Sequence, residues 1–194
     1  MKQSNKYHKI LSLFKRNMEG DKKFIIGEWT TPELEYLKDK EWVWTEKVDG
    51  TNIRVMWNGK EVVFGGRSDD AQLYTPLLMR LQELFMRIEP RKIFADNFAT
   101  EEIDVVLYGE GYGARIQQGG GNYISNGVDF VLFDVAVNGT HLERKNVEDI
   151  AQKFGIKIVP IIGYGTLEEA IEITKKGFKS QWGDFTAEGI VARP

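Results

Sequence analysis

Lys47 closes an apolar run and opens directly into a turn, in the segment Glu46-Lys47-Val48-Asp49-Gly50-Thr51-Asn52. At most positions lysine is a solvated cation. In a cleft, desolvation and neighbouring cations disfavour the ammonium, and the neutral amine becomes a nucleophile. Taken alone, Lys-x-Asp-Gly also fits a surface lysine beside a turn. Other groups able to do chemistry lie far downstream: Arg67 in Phe-Gly-Gly-Arg-Ser, Glu110 in Leu-Tyr-Gly-Glu-Gly, Phe133 before Asp134, and Glu188 in Ala-Glu-Gly-Ile-Val. Each has a plainer reading, Phe133 as a core aromatic and the carboxylates as salt-bridged strand ends.

Several chemistries are excluded. The chain has no cysteine, which removes disulfides, thiolate metal sites and a cysteine nucleophile. Two histidines, His8 and His141, are too few for a multi-histidine metal site and argue against a Ser–His relay. Gly109-Glu110-Gly111-Tyr112-Gly113 lacks the third glycine of a dinucleotide loop, and no Gly-Lys-Ser/Thr phosphate loop occurs. Apolar runs are too short to span a bilayer, and the N-terminus lacks the apolar core of a signal peptide. The expectation is a cytoplasmic protein with no membrane partner.

The segments that carry these residues read mostly as antiparallel strands. Residues 41–47 alternate, with Trp42 and Trp44 on one face and Val43, Thr45 and Lys47 on the other. Residues 52–57 and 61–67 flank Asn58-Gly59, which favours a tight hairpin with positive φ angles. Alternation places Asn52 and Arg54 on one strand face, so both can line one cleft, although a surface Arg54 fits equally. Thr75 as cap and Pro76 in the first turn predict a helix to Ile88 with a leucine-rich stripe. Further strands are predicted at 104–110, 129–137, 156–162 and 187–192. A short helix near 147–154 has Asn146 as cap and Gly155 as stop, and Thr166 with Glu169 forms a capping box for another. Residues 111–127 carry too much glycine for regular structure and read as a loop, one that could close over a substrate with Arg115 and the glutamines on its backbone.

At 194 residues, 42% apolar, the chain has the length and composition of one folded domain, residues 1–194. Its net charge of −3 argues against simple coating of nucleic acid, but the charge is uneven. Residues 1–23 hold Lys2, Lys6, Lys9, Lys15, Arg16, Lys22 and Lys23 against Glu19 and Asp21. Residues 101–134 hold Glu101, Glu102, Asp104, Glu110, Asp129 and Asp134 with only Arg115. A solvated helix face followed by acidic loops accounts for this pattern.

In order along the chain, the segments around Lys47, Phe64–Ser68, Leu107–Gly111, Phe130–Asp134 and Ala187–Val191 resemble motifs I, Ia, III, IIIa and IV of the covalent nucleotidyltransferases. That superfamily comprises ATP-dependent DNA ligases, RNA ligases and mRNA capping enzymes. Gly-Thr-Asn after Asp49, with Gly-Glu-Gly-Tyr-Gly and Phe-Asp, is most similar to the RNA-ligase-2-like group. A DNA ligase would more often place arginine where Asn52 stands. The resemblance implies an α+β adenylation domain, with largely antiparallel sheets flanking a nucleotide cleft and helices on the periphery.

It also implies an activity: ATP-dependent RNA end joining or nick sealing through a covalent lysyl-AMP intermediate. Lys47 would attack the α-phosphorus of ATP, and AMP would pass to an RNA 5′-phosphate and be displaced by a 3′-OH. Glu46, Lys47, Asn52, Arg67, Glu110 and Phe133 would bind the nucleotide, with Glu110 on the ribose hydroxyls and Phe133 stacked on adenine. Glu188 would hold Mg2+ or Mn2+, Arg67 would serve a phosphate, Asp49 would orient the turn, and Gly50 would allow close approach to the nucleotide. In this family a lysine pair, motif V, follows motif IV, whereas six residues follow Glu188 here. The expectation is a domain cut short before motif V, without a C-terminal RNA-binding domain. The alternatives are a DNA ligase, a capping guanylyltransferase, or a degenerate nucleotide- or RNA-binding module.

Overall fold

A computed structural model describes residues 5–99 and 103–194, so Lys2, Glu101 and Glu102 lie outside the described residues. A hairpin of β1 (Phe14–Arg16) and β2 (Phe24–Trp29) comes first, then α1 (Pro32–Leu37), whose cap Thr31 accepts a hydrogen bond from the Leu34 amide at 3.3 Å. Over its described residues, 5–23, the basic N-terminal segment is therefore irregular chain and hairpin, not a helix face. Next come β3 (Trp42–Lys47), β4 (Thr51–Trp57), β5 (Val62–Gly65), α2 (Thr75–Phe85) and α3 (Ile88–Asn97). The second half contains β6 (Val105–Gly113), α4 (Gly120–Tyr123), β7 (Val128–Val137), β8 (Thr140–His141), α5 (Arg144–Phe154), β9 (Lys157–Ile158), β10 (Ile161–Gly165), α6 (Leu167–Lys176) and β11 (Gly189–Arg193).

The large sheet runs β5-β4-β6-β7-β8, with β9 added in parallel against β7. Its two faces separate by alternation. Ile53, Val55 and Trp57 of β4 and Val105 and Leu107 of β6 turn into the main core, where Leu77, Leu81 and Phe85 of α2, Phe94 of α3 and Phe154 of α5 cover them. The opposite face carries Asn52, Arg54 and Met56 of β4 and Val106, Tyr108 and Glu110 of β6. A second sheet, ordered β10-β3-β11 and antiparallel throughout, buries Trp42 and Trp44 against Leu167 and Ala170 of α6. Trp29 of β2 and Leu34 and Leu37 of α1 pack on that tryptophan cluster.

The strand expected at 156–162 divides at Val159-Pro160. Its first half joins β7 in the large sheet, its second joins β3 in the small one, and Pro160, with no amide to donate, marks the crossing. Before the crossing, the Val159 amide bonds the Leu132 carbonyl at 2.9 Å, and at it the Pro160 carbonyl accepts from the Glu46 amide at 3.1 Å.

The Asn58-Gly59 hairpin forms, but with a four-residue connection in place of the tight turn. Only Gly59 has positive φ (91°), and Asn58 Oδ1 instead accepts from the Lys60 and Glu61 amides at 3.0 and 2.9 Å. The helix predicted to reach Ile88 stops at Phe85. Tyr74 occupies its cap position with no side-chain bond, Thr75 lies inside the first turn, and an exposed Ile88 opens α3. In α5 the cap position belongs to Glu143, with Asn146 inside the helix, while Gly155 ends it at φ 64°. The Thr166–Glu169 capping box is present, with both reciprocal bonds. No helix among the described residues is long and apolar enough to cross a membrane.

Candidate nucleotide-transfer site

Lys47 is the last residue of the central strand of the small sheet, and pairing with β11 on one flank holds its backbone. Its register partner is Gly189, the residue after Glu188. This pairing sets two side chains 141 residues apart next to each other, and Lys47 Nζ donates to Glu188 Oε1. The pair stands in water to a fair degree, with side-chain exposures of 50% and 34%. Nζ is thus at the mouth of a cleft, open to a ligand, and is oriented by a carboxylate.

The turn after Lys47 is held from two sides. Val48 is buried among Tyr112, Val131 and Val159. The Asp49 amide donates to Tyr123 Oη at 3.0 Å, and Gln117 Nε2 donates to the Gly50 carbonyl at 3.0 Å. A β-carbon at Gly50 would run into the Gly111 carbonyl and the Glu110 side chain, so glycine here permits close approach of the turn to β6. The glycine-rich stretch divides: β6 continues to Gly113, the remainder includes α4, and Gln117 and Tyr123 secure the Lys47 turn. Arg115 is exposed.

Glu110 projects from β6 opposite Asn52 of β4. Burial lifts its pKa to about 8; the Lys47 ammonium opposes the rise, and the Glu188 and Asp49 carboxylates add to it. Near neutral pH Glu110 holds a proton and can both donate and accept hydrogen bonds.

Phe133 owes its direction to a β-bulge. Tyr108 pairs with Asp134 and Gly109 with Leu132, which leaves Phe133 as an extra residue on β7. Its ring stands partly buried, with the Tyr7 ring edge-on at 5.0 Å. Arg67 is exposed in the loop after β5, and Arg54 fixes that loop from below: its Nε donates to the Gly66 carbonyl and its Nη2 to Asp69 Oδ1, both at 2.8 Å. Arg54 is only 2% exposed, so the surface reading of this arginine does not hold; its guanidinium is engaged in anchoring the loop.

Glu46 is buried on the face of β3 away from Lys47, and both carboxylate oxygens are engaged. Ser180 Oγ donates to Oε1 at 2.5 Å and the Gln181 amide to Oε2 at 2.8 Å. This anchors the segment that leads to Glu188, itself tied by Ser180 N to the Phe185 carbonyl and Ala187 N to the Phe178 carbonyl, each at 2.9 Å. Ser180, Gln117 and Tyr123 lie in no motif and carry no spacing signal; only the three-dimensional packing reveals them.

Among the described residues, no group of three or more His, Asp or Glu side chains is arranged to hold a metal ion on its own. Glu188 fits a cation of another kind, a hard divalent ion bound by one carboxylate and completed by water and substrate phosphate oxygens.

A mixed fold of two largely antiparallel sheets, with a strand-end lysine paired to a carboxylate at their cleft, defines a nucleotidyltransferase-type domain. The model of the RNA ligase family matches residues 40–194, and the chain belongs to that family. Among solved structures, the chain is similar to a Naegleria gruberi RNA ligase with PPi, at 21% identity and a TM-score of 0.64 over 84% of this chain and 48% of that one. A mutant of the same ligase with ATP and Mn gives the same four values. Another, with AMP and Mn, has 19% identity and a TM-score of 0.65 over the same shares. The chain therefore spans about half the length of the structures it matches. No curated protein matches the sequence.

Proposed function

We propose that this chain carries the adenylyltransferase step of an ATP-dependent RNA ligase. The observation that carries the reading is the Lys47–Glu188 pair, created by strand register at the cleft where β3 ends and β11 begins. Neutral Lys47 Nζ attacks the α-phosphorus of ATP; an N–P bond forms, the bond to the β-phosphate oxygen breaks, and pyrophosphate leaves. An oxygen of an RNA 5′-phosphate then attacks the same phosphorus and releases Lys47. Finally a 3′-OH attacks the activated 5′-phosphate, joins the strands in an end or a nick, and expels AMP.

Phe133 supplies an aromatic face for adenine, a contact of about 1–3 kcal/mol by analogy with base stacking on aromatic side chains. Protonated Glu110 meets the ribose hydroxyls as both donor and acceptor, with Asn52 beside it. Arg67, free to swing on an anchored loop, suits bidentate contact with a phosphate. Glu188 would hold Mg2+ or Mn2+ together with phosphate oxygens, and the ion would supply compensation for charge on the transferring phosphate. The ATP, AMP and Mn in the Naegleria structures support this choice of nucleotide and metal.

Incubation with radiolabelled ATP and magnesium is expected to give a protein–AMP adduct that survives denaturation, and Lys47→Ala is expected to give none. Labelling by GTP in preference to ATP would move the assignment to a capping-type enzyme. ATP binding with no adduct in the full-length protein would sink the covalent mechanism and leave a nucleotide-binding module.

A further inference from the structure

Tyr7 joins residues that lie far apart in the sequence. Residues 5–8 cross the cleft face of the large sheet, and the Tyr7 ring meets Tyr108 at 4.8 Å, Phe133 at 5.0 Å and His141 at 5.6 Å. Its hydroxyl donates to Asp134 Oδ2 at 2.7 Å and accepts from Arg193 Nη2 at 2.8 Å. Arg193 Nη1 also pairs with Asp134 Oδ2 at 3.3 Å, and His141 Nδ1 lies 3.0 Å from the same oxygen. Asp134 is 3% exposed, and a carboxylate so buried must have its oxygens filled. Tyr7, Arg193, His141 and the Val135 amide do so. Burial and the Asp134 charge hold the Tyr7 phenol well above its ordinary range, so its hydroxyl remains a donor.

The two ends of this clasp belong to different sheets. Asp134 follows Phe133 on β7 of the large sheet, and Arg193 ends β11 of the small sheet, whose other end adjoins Glu188. Among the described residues, β11 is an edge strand paired only with β3. We infer that Tyr7 is a positioning residue of the nucleotide site: the N-terminal strap, through Tyr7, Asp134 and Arg193, locks the Glu188-bearing strand against the Phe133-bearing sheet. The two groups proposed to act on opposite ends of AMP, carboxylate at the phosphate and ring at the base, are held at one spacing by a residue 181 positions before Glu188. The inference rests on the proposed nucleotide reading for its functional part, and on geometry alone for the clasp.

Tyr7→Phe keeps the ring and removes both hydroxyl bonds. In the full chain, hydrogen exchange of the 189–193 amides is expected to accelerate at least tenfold. The rate constant of Lys47 adenylylation should fall at least tenfold while the KM for ATP stays within twofold, a split that general loss of stability would not produce. Arg193→Lys, which cannot reach Tyr7 and Asp134 together, should reproduce both effects, and the double variant should be no worse than either single one. If Tyr7→Phe does not fold, Arg193→Lys decides by the same two readouts. Unchanged exchange overturns the clasp; faster exchange with unaltered adenylylation, or additive effects in the double variant, overturns Tyr7 as a positioning residue. If the wild-type chain forms no adduct but the variant exchanges faster, the clasp stands and the ligase reading falls.

Discussion

At the scale of single residues, Glu110 shows how the cleft sets its own chemistry. In the unfolded chain its carboxyl ionises near 4.5, and in the folded chain near 8. Between those values the folded protein keeps a proton that the unfolded chain releases, so raising the pH through this window favours unfolding. Glutamine has the same shape and no proton to lose. Glu110→Gln is therefore expected to match the wild type in melting temperature near pH 4.5, gain on it steadily, and hold a constant advantage above pH 8. The advantage is at most on the order of 5 kcal/mol, since each pKa unit is about 1.4 kcal/mol. Thermal melts of both proteins across pH 4.5–9 measure it, and parallel curves would mean that Glu110 ionises normally. The chemical types of Lys47, Glu110, Phe133 and Glu188 were legible in the sequence because short motifs carry them. The partners of Glu46 were not: its carboxylate is satisfied by Ser180 and Gln181, about 134 positions away, and a buried glutamate reads in sequence like any strand-end acid.

At the scale of elements, alternation was a sound guide wherever a strand has one core face, as in β3, β4 and β6. It failed where one apolar run serves two sheets, because Ile156–Ile162 has a single hydrophobic pattern and only Pro160 hints at the crossing. It also missed α3, whose apolar residues form too weak a stripe to separate it from the end of α2; only Phe94 is buried. The Asn58-Gly59 connection was read correctly as a reversal and incorrectly in geometry, since Asn58 uses its side chain to cap the turn. The Lys47 turn depends on the approach of one element to another at Gly50. Gly50→Ala is expected to displace the turn from β6, with a stability loss of about 1–3 kcal/mol, in the range of overpacked sites, and at least a hundredfold loss of adenylylation. Gly121→Ala in α4 is the control: a β-carbon there meets nothing within 4 Å, and melting temperature and labelling rate should be maintained or rise. Equal loss in both variants would mean that the β6 contact does not set the turn.

At the scale of the whole molecule, a net charge of −3 conceals a division of labour. Negative charge gathers at the cleft, where the Glu188 and Asp49 carboxylates stand close enough to act on Glu110 and Glu188 pairs with Lys47. Exposed Lys9, Lys15 and Lys22 accompany the β1–β2 hairpin, which packs on the small sheet through Trp29. Arg16 is less available, since it stacks on Phe24 at 4.0 Å and donates to the Lys22 carbonyl at 3.1 Å. A polyanion approaching this molecule is repelled by the cleft acids and attracted to the hairpin, so the hairpin is where the RNA backbone is expected to rest. Each phosphate contact releases condensed counterions, and the slope of log affinity against log salt counts them, at about 0.7 per contact for a single strand and 0.9 for a duplex. Replacing Lys9, Lys15 and Lys22 together with alanine should weaken RNA binding at low salt and flatten that slope by about 2–3. Formation of the Lys47–AMP adduct in the absence of RNA should not change, because none of the three lysines is among the groups proposed to act on the nucleotide. An unaltered slope with weakened binding would place the RNA elsewhere on the surface, and reduced adduct formation would tie the hairpin to the nucleotide step instead.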